Sequence, residues 1–188
     1  MIPKAKTTLA LVLSTVITLA SCTHPVYLPS LYPAPGFTLT NQNGQVVELA
    51  HFRGKVIVMD FVYTRCPDVC GQLNYELQGI WHQLKEELRQ DLVLISISFD
   101  LYDTPEVLKQ YATFYDVPGW QFLTGTKEQI QQVTSDYGVG YEIKTAGANQ
   151  THASSHSVEF IHNSSVVLID REGTVRKTYG GPELPVKD

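Results

Sequence analysis

Apolar and polar positions alternate along the chain in blocks that predict a series of strands and helices. Two continuous apolar runs, 56–62 and 92–99, are rich in β-branched residues and predict buried strands. After the first run, apolar residues recur three or four positions apart, as one helix face requires: Leu73, Leu77, Ile80, Trp81 and Leu84. Further along, Thr104-Pro105 predicts the start of another helix, with threonine as its cap.

Shorter signals complete the predicted fold. Asn43-Gly44 is a strong hairpin signal between strand candidates at 37–40 and 45–49. The remaining candidates are a strand at 120–123, a helix at 127–137, and a hairpin of strands at 166–170 and 174–179. A hairpin, a β-α-β-α series and a closing hairpin predict an α/β fold. We expect a mixed sheet flanked by helices, in a thioredoxin-like arrangement.

The turn between the first buried strand and its helix carries two cysteines, Cys66 and Cys70. Pro67 suits the first helical position, which predicts Cys66 as the N-cap and places Cys70 on the first turn. The positive end of the helix dipole favours thiolates, and Arg65 adds a positive charge that Asp68 partly opposes. Such a pair can hold a soft metal, form a reducible disulfide, or do both.

The first residues are typical of an exported protein. After two lysines, the apolar stretch 9–20 is shorter than the ~20 residues of a spanning helix. It ends in Leu-Ala-Ser-Cys22, which resembles the lipobox of a bacterial lipoprotein. We therefore expect a signal peptide at 1–21 and lipidation of Cys22, which leaves Cys66 and Cys70 as the remaining thiols. The alternative is an ordinary secretory signal with an incidental cysteine.

The predicted lipid anchor divides the rest of the chain into two parts. Residues 22–36 are a proline-rich tether that can extend to ~40 Å at ~3.1 Å per residue, and 37–188 are the folded domain. The expected location is the bacterial cell envelope, with the domain on the extracytoplasmic side of a membrane. The formal net charge is −5 and no basic stripe is present, which argues against nucleic acid as a partner.

Two thiolates rarely complete a metal site, so a third ligand is sought among six histidines. His162 stands just before the strand predicted at 166–170, and in a thioredoxin-like sheet the entry to that strand approaches the cysteine turn. The other histidines lie in the tether, in predicted loops or far along the cysteine helix: His24, His51, His82, His152 and His156. Position alone leaves both a structural and a ligand role open for His162.

An ordered series of short motifs is spread over residues 37–180. It comprises Gly44, Arg53-Gly54-Lys55, Tyr63-Thr64, Cys66-Pro67-Asp68-Val69-Cys70, residues 96–100, 103–108 and 123–126, His162, Leu168-Ile169-Asp170 and Gly173. Together they resemble the Sco/SenC family, thioredoxin-fold proteins of cytochrome c oxidase assembly. Members bind one copper through both motif cysteines and the late histidine. The resemblance implies that Cys66, Cys70 and His162 bind one copper ion per monomer, as Cu(I), Cu(II) or both.

The resemblance also implies a function. It points to a metallochaperone that delivers Cu(I) to, or matures, the CuA centre of a respiratory cytochrome c oxidase. Its partners are then the CuA-bearing subunit or its assembly factors, and the membrane through Cys22. The alternative is an enzyme, a thiol:disulfide oxidoreductase that acts on an exported target, with Cys66 attacking and Cys70 resolving. A purely structural disulfide is the third interpretation.

The chain departs from the family pattern at several positions. Ile161 stands where an aspartate usually precedes the ligand histidine, and Asn163 where a hydroxyl residue usually follows it. Leu101 replaces a common proline. Residues 180–188 contain two prolines and do not predict the helix that ends the family's fold.

Overall fold

The computed structural model describes residues 27–67, 69–145, 158–162 and 165–180, and for residues 69, 141–145 and 158–162 it describes the backbone alone. The strands are β1 (Tyr32–Pro33), β2 (Thr38–Asn41), β3 (Val46–Glu48), β4 (Val56–Val62), β5 (Leu92–Ser98), β6 (Gln121–Thr124), β7 (Tyr141–Thr145), β8 (Val158–His162), β9 (Ser165–Ile169) and β10 (Thr174–Gly180). The helices are α1 (Val69–Gln83), α2 (Glu86–Arg89), α3 (Pro105–Ala112) and α4 (Lys127–Asp136), with a 3₁₀ turn at Leu49–Phe52. Several predicted features lie outside the described residues: the signal peptide, Cys22, His24, Asp68, His152, His156, Asn163 and the segment 181–188.

Eight strands form one mixed sheet in the order β1-β10-β9-β4-β5-β6-β2-β3. The central strands β4, β5 and β6 run parallel, whereas β9 is antiparallel to β4. At the far edge, β2 pairs antiparallel with β6 and with β3. The predicted α/β architecture, a mixed sheet with an amino-terminal hairpin and flanking helices, is confirmed.

The sheet has a hydrophobic core on each face. Successive residues of β4 and β5 point to opposite faces, so both faces need apolar residues and the strands read as continuous apolar runs. One core contains Met59, Phe61, Ile95, Ile97, Leu123, Ile130 and Val133. The other contains Leu73, Leu77, Leu94, Leu108, Trp120, Phe122 and Val166. This packing explains why the cysteine helix α1 presents leucines at helical spacing.

The predicted caps and turns lie close to their predicted places. The Thr104 hydroxyl accepts from the Val107 N–H at 3.4 Å and caps α3. Gly44 has a φ of 74° in the β2–β3 hairpin, a conformation that glycine adopts without strain. The helix α2 and the two-stranded β7–β8 sheet were not predicted, because α2 is a single turn and the segment around β7 and β8 lacks a clear period.

The cysteine helix starts later than predicted. Helix α1 begins at Val69, so the prediction that Cys66 is its N-cap is wrong, whereas Cys70 does lie on the first turn. The reason is a backbone turn, in which the N–H of Cys66 donates to the Tyr63 carbonyl at 3.1 Å before the helix begins. No helix among the described residues is long and apolar enough to cross a bilayer.

Contacts between the predicted tether and the domain begin before Phe37. Strand β1 pairs with β10, and the N–H of Leu31 donates to the Val175 carbonyl at 2.9 Å. The Tyr137 hydroxyl also donates to the Pro35 carbonyl at 2.7 Å. Prolines lack an N–H but keep their carbonyl acceptors, so a proline-rich segment can still pair at a sheet edge. Residues 31–35, which the sequence assigns to the tether, therefore make backbone contacts with the folded domain.

Candidate metal centre

The two cysteines lie at the carboxyl end of β4, in the middle of the sheet. Cys70 is buried in the first turn of α1 at 1% exposure, whereas Cys66 in the preceding turn is partly exposed. The backbone N–H of Cys70 donates to the Cys66 sulfur at 3.4 Å. The Cys66 thiol is therefore partly accessible, whereas the Cys70 thiol is buried. Open α/β sheets commonly place ligand sites at this end of their parallel strands.

The buried thiol does not behave as the sequence predicts. A hydrogen bond with the Cys66 sulfur, followed by burial, raises the pKa of the Cys70 thiol. The helix dipole alone would lower that pKa, but burial disfavours the charged form more strongly here. The protonated form of the Cys70 thiol is therefore favoured in the protein without metal, whereas the helix dipole alone would favour a thiolate.

The turn before Cys66 is fixed by a buried carboxylate, that of Asp103. Its oxygens accept from the Thr64 N–H at 2.8 Å, the Thr64 hydroxyl at 2.6 Å and the Ser98 hydroxyl at 2.6 Å. Burial raises the pKa of Asp103, whereas the hydrogen bonds from Ser98 and Thr64 act in the opposite direction. The loop after β5 is thereby joined to the turn after β4.

A second carboxylate in that loop, Asp100, neutralises the positive charge predicted beside the thiols. Arg65 donates to Asp100 through Nη2 at 2.6 Å and Nε at 3.2 Å, and Asp100 is 1% exposed. The hydrogen bond with Asp100 raises the pKa of Arg65. The Arg65 guanidinium also lies 5.2 Å from the centre of the Tyr102 ring. Arg65 therefore mainly joins the turn after β4 to the loop after β5.

A buried acidic group lies further down β4. Asp60 is fully buried, and its Oδ1 accepts from the Ser96 hydroxyl at 2.6 Å. Trp120 in turn donates to the Ser96 oxygen at 3.0 Å. The other carboxylate oxygen of Asp60 has no hydrogen-bond partner among the described residues. Burial raises the pKa of Asp60 to about 7, so this carboxyl is largely protonated in mildly acidic solution.

The backbone of His162 comes to the same end of the sheet. His162 is the last residue of β8 and pairs with Tyr141 of β7. Three residues later β9 begins at Ser165, and Val166 pairs with Asp60 near the carboxyl end of β4. Three residues span at most about 11 Å, so the topology brings the His162 backbone near the cysteine turn.

Two other histidines lie away from the cysteine turn. His51 is in the 3₁₀ turn that precedes β4, and its Nδ1 accepts from the Glu48 N–H at 3.2 Å. His82 is twelve residues beyond Cys70 in α1, about 18 Å along the axis. Among the described side chains, no group of three or more histidine, cysteine, aspartate or glutamate residues forms a metal site.

Asp100 and Asp103 were not identified as site residues from the sequence. The helix start predicted at Thr104-Pro105 is correct, but it does not reveal that the preceding Asp103 contacts the cysteine turn. A signal was present, because both aspartates follow the second buried strand, and neighbouring parallel strands end at the same sheet edge. Polar residues directly after β5 therefore had to lie close to the cysteine turn.

These features define an α/β protein of thioredoxin-like architecture with a dithiol at the turn from a central strand to a helix. The sequence model of the SCO1/SenC family matches residues 32–187. The chain therefore belongs to the SCO1/SenC family. A curated relative, the SCO1 protein homolog of Bacillus subtilis, is 31% identical over 159 residues, which cover 82% of this chain and 77% of the relative.

Solved structures show the same fold. Bradyrhizobium japonicum ScoI with copper bound has a TM-score of 0.69 at 26% identity, covering 82% of this chain and 94% of its own. A SCO1/SenC family lipoprotein from Bacillus anthracis has a TM-score of 0.66 at 29% identity, with 84% and 90% covered. BsSco, a member of the Sco family of cytochrome c oxidase assembly proteins in which a disulfide switch was identified, has a TM-score of 0.65 at 29% identity, with 86% and 92% covered.

Proposed function

We propose that this protein binds one copper ion through Cys66, Cys70 and His162 and delivers Cu(I) to, or otherwise matures, the CuA centre of a respiratory cytochrome c oxidase. The observation that carries the proposal is the paired geometry of the two thiols, with the Cys70 N–H at 3.4 Å from the Cys66 sulfur. A ligand pair of this kind needs no large rearrangement before it can bind a metal. The copper-bound relative and the oxidase-assembly role of BsSco support the choice of metal and process.

The donor set suits copper as cargo. Two sulfur ligands and one imidazole match the softness of Cu(I), which tolerates low coordination numbers. Zinc accepts the same ligands, so preference for copper depends on geometry and on metal supply outside the cytosol. The partly exposed Cys66 is the ligand that an incoming partner can reach first. The buried Cys70 must lose its proton when the metal binds.

The target and the location are part of the same proposal. The recipient is the CuA-bearing subunit or one of its assembly factors, reached on the extracytoplasmic side of the membrane. Lipidation of Cys22 supplies the membrane attachment, and the signal peptide 1–21 directs export. The lipoprotein from Bacillus anthracis is a precedent for such attachment in this family.

Thiol:disulfide exchange remains the alternative that an experiment must separate. Two cysteines four positions apart within one helix have Cβ atoms too far apart for a disulfide. Because Cys66 lies outside α1, this constraint does not apply to a bridge between Cys66 and Cys70. Exchange requires only the two cysteines, whereas copper delivery also requires the histidine. The comparisons do not favour the reductase, since the relatives above are associated with copper and oxidase assembly.

The deciding experiment compares His162→Ala with His82→Ala in cells whose own copy of the gene is deleted. We expect His162→Ala to abolish CuA assembly without added copper, while the purified variant still reduces disulfides in a coupled assay. His82→Ala, which lies about 18 Å along α1 from Cys70, should behave like the wild type in both measurements. Normal oxidase assembly with His162→Ala would favour the reductase and contradict the proposal.

A further inference from the structure

One arginine on the edge of the sheet fastens the amino-terminal segment to the domain. Arg176 of β10 donates through Nε to the Pro29 carbonyl at 3.0 Å and through Nη2 to the Leu28 carbonyl. Its Nη1 donates to the Asp170 carboxylate at 2.9 Å. The Tyr27 ring completes the arrangement, 5.9 Å from the guanidinium. We call these contacts the Arg176 clamp.

The ion pair of the Arg176 clamp is partly shielded from water. The side chains of Arg176 and Asp170 are only 23% and 18% exposed, unlike those of an ordinary surface ion pair. The hydrogen bonds to the two carbonyls are charge-assisted, which makes them stronger than bonds between neutral groups. The clamp adds to the β1–β10 pairing, and it holds the chain as far back as Leu28, four residues before β1 begins.

The clamp lies at the end of the sheet opposite the thiols. Asp170 follows β9, and the last residue of β9, Ile169, pairs with Ile57 at the start of β4. The guanidinium bonded to Asp170 is therefore at the amino end of β4, whereas Cys66 follows its carboxyl end. Seven strand residues separate the two ends by about 20 Å.

The clamp shortens the usable tether. With the chain held from Tyr27 onward, only four residues lie between it and Cys22, and the five Cα–Cα steps from Cys22 to Tyr27 reach at most about 18 Å. A tether that is loose to residue 36 would extend to ~40 Å and let any face of the domain meet the bilayer. A reach of about 18 Å is shorter than the domain is wide, since a 150-residue domain has a radius of gyration of about 15 Å.

We propose that the Arg176 clamp makes the lipid anchor hold the amino end of β4 toward the bilayer, so that Cys66 is presented on the side facing away from it. The proposal rests on the proposed lipidation of Cys22 and is independent of which metal binds. It identifies the bilayer as the partner of the clamped end. It also implies that a protein receiving the metal does so above the membrane surface, at a height set by the domain.

The test measures the heights of two sites on the full-length lipidated protein in phospholipid vesicles. In a Cys66→Ala/Cys70→Ala background, a donor fluorophore is attached at Tyr102→Cys, near the thiol end, or at Glu172→Cys, in the turn after β9. Energy transfer to an acceptor on the lipid headgroups reports the distance from the bilayer. We expect the label at residue 172 to lie closer to the membrane than the label at 102, by up to about 20 Å.

Arg176→Met then removes the guanidinium but keeps the apolar stem. We expect the two labels to approach the same mean height, because the loosened tether lets the domain turn. Arg171→Met is the matched control, since Arg171 lies in the turn just before β10 and its guanidinium bonds Asp91 at 2.9 Å, whereas the bonds to the Leu28 and Pro29 carbonyls come from Arg176. The control should keep the difference between the labels.

A second variant covers the case in which Arg176→Met does not fold. Insertion of ten glycine and serine residues between Cys22 and Tyr27 leaves the clamp intact and should abolish the height difference by length alone.

Equal heights of the two labels with the unmodified tether, in protein bound to the vesicles, would overturn the proposed orientation but not the proposed lipidation. A protein that does not associate with vesicles would overturn the lipidation and the orientation together. In matching proteins that keep Cys66 and Cys70 and carry no label, the same tether variants should bind copper in solution as the wild type does, so failure of the metal proposal is seen separately.

Discussion

The two ends of β4 are held by different kinds of polar contact. At the carboxyl end, Asp100 and Asp103 are each 1% exposed and bind the turn that leads to Cys66. At the amino end, Asp91 pairs with Lys55 at 3.5 Å and with Arg171 at 2.9 Å, and all three side chains are more than 40% exposed. A carboxylate with its hydrogen-bond donors is therefore buried at the carboxyl end of β4 and solvent-exposed at the amino end.

The difference shows where the fold fixes geometry. A buried carboxylate that loses its donors has no water to replace them, so its contacts are costly to break. Exposed pairs exchange protein donors for water at little cost. The turn carrying Cys66 is therefore positioned firmly, while the exposed pairs at the other end can vary without consequence for the site. Substitutions at the two ends should have unequal effects.

The largest expected effect is at Asp103. Asp103→Ala removes the acceptor for the Thr64 N–H, the Thr64 hydroxyl and the Ser98 hydroxyl, and leaves donors in a buried site. We expect the free energy of unfolding to fall by roughly 3 kcal/mol, the scale for lost hydrogen bonds to a buried charged group. Urea denaturation measures this. A loss close to zero would show that the turn does not depend on Asp103.

The next effect is a pH dependence caused by Asp60. Its pKa is about 7 in the folded protein and 3.8 in the unfolded chain, so between these values the folded state binds more protons. Stability therefore falls as the pH rises, by roughly 2 kcal/mol between pH 5 and pH 7 from this group. Denaturation of the wild type and Asp60→Asn across this range should differ in slope, with the variant flatter. Parallel curves would mean that Asp60 is ionised in both states.

The smallest effect should come from the exposed pairs. Asp91→Ala removes the partner of Lys55 and Arg171, but water can solvate both cations. We expect no measurable change in the urea midpoint at physiological salt, because exposed pairs are screened. A loss as large as that of Asp103→Ala would remove the distinction between the two ends of β4.

Local signals predicted much of the fold. The continuous apolar runs identified β4 and β5, and Thr104 before Pro105 identified the start of α3. These signals succeed because strand burial and helix capping depend on neighbours in the sequence. They fail for contacts between distant residues. The bond from Asp103 to Thr64 spans 39 positions and depends on how β4 and β5 align.

The candidate site was only partly predictable for the same reason. The cysteines and the position of His162 follow from motif and strand order, but the raised pKa of Cys70 depends on its hydrogen bond with Cys66 and on burial, neither of which the sequence displays. The Arg176 clamp joins residues 147 and 148 positions apart, and a proline-rich segment gives no sign that its carbonyls will find a donor. Long-range polar pairing needs the folded chain.

The central claim is that Cys66, Cys70 and His162 form the copper site, and competitive Cu(I) titration tests it most directly. The proteins compared are the wild type, His162→Ala and the double variant His152→Ala/His156→Ala, all with reduced thiols. A ligand at the end of a strand loses less conformational entropy on binding than one in a loop, so His162 should dominate even though Ile161 replaces the usual aspartate. We expect copper affinity to fall at least ~10-fold in His162→Ala and little in the double variant. The reverse order of losses would contradict the assignment and place the third ligand in the segment before β8.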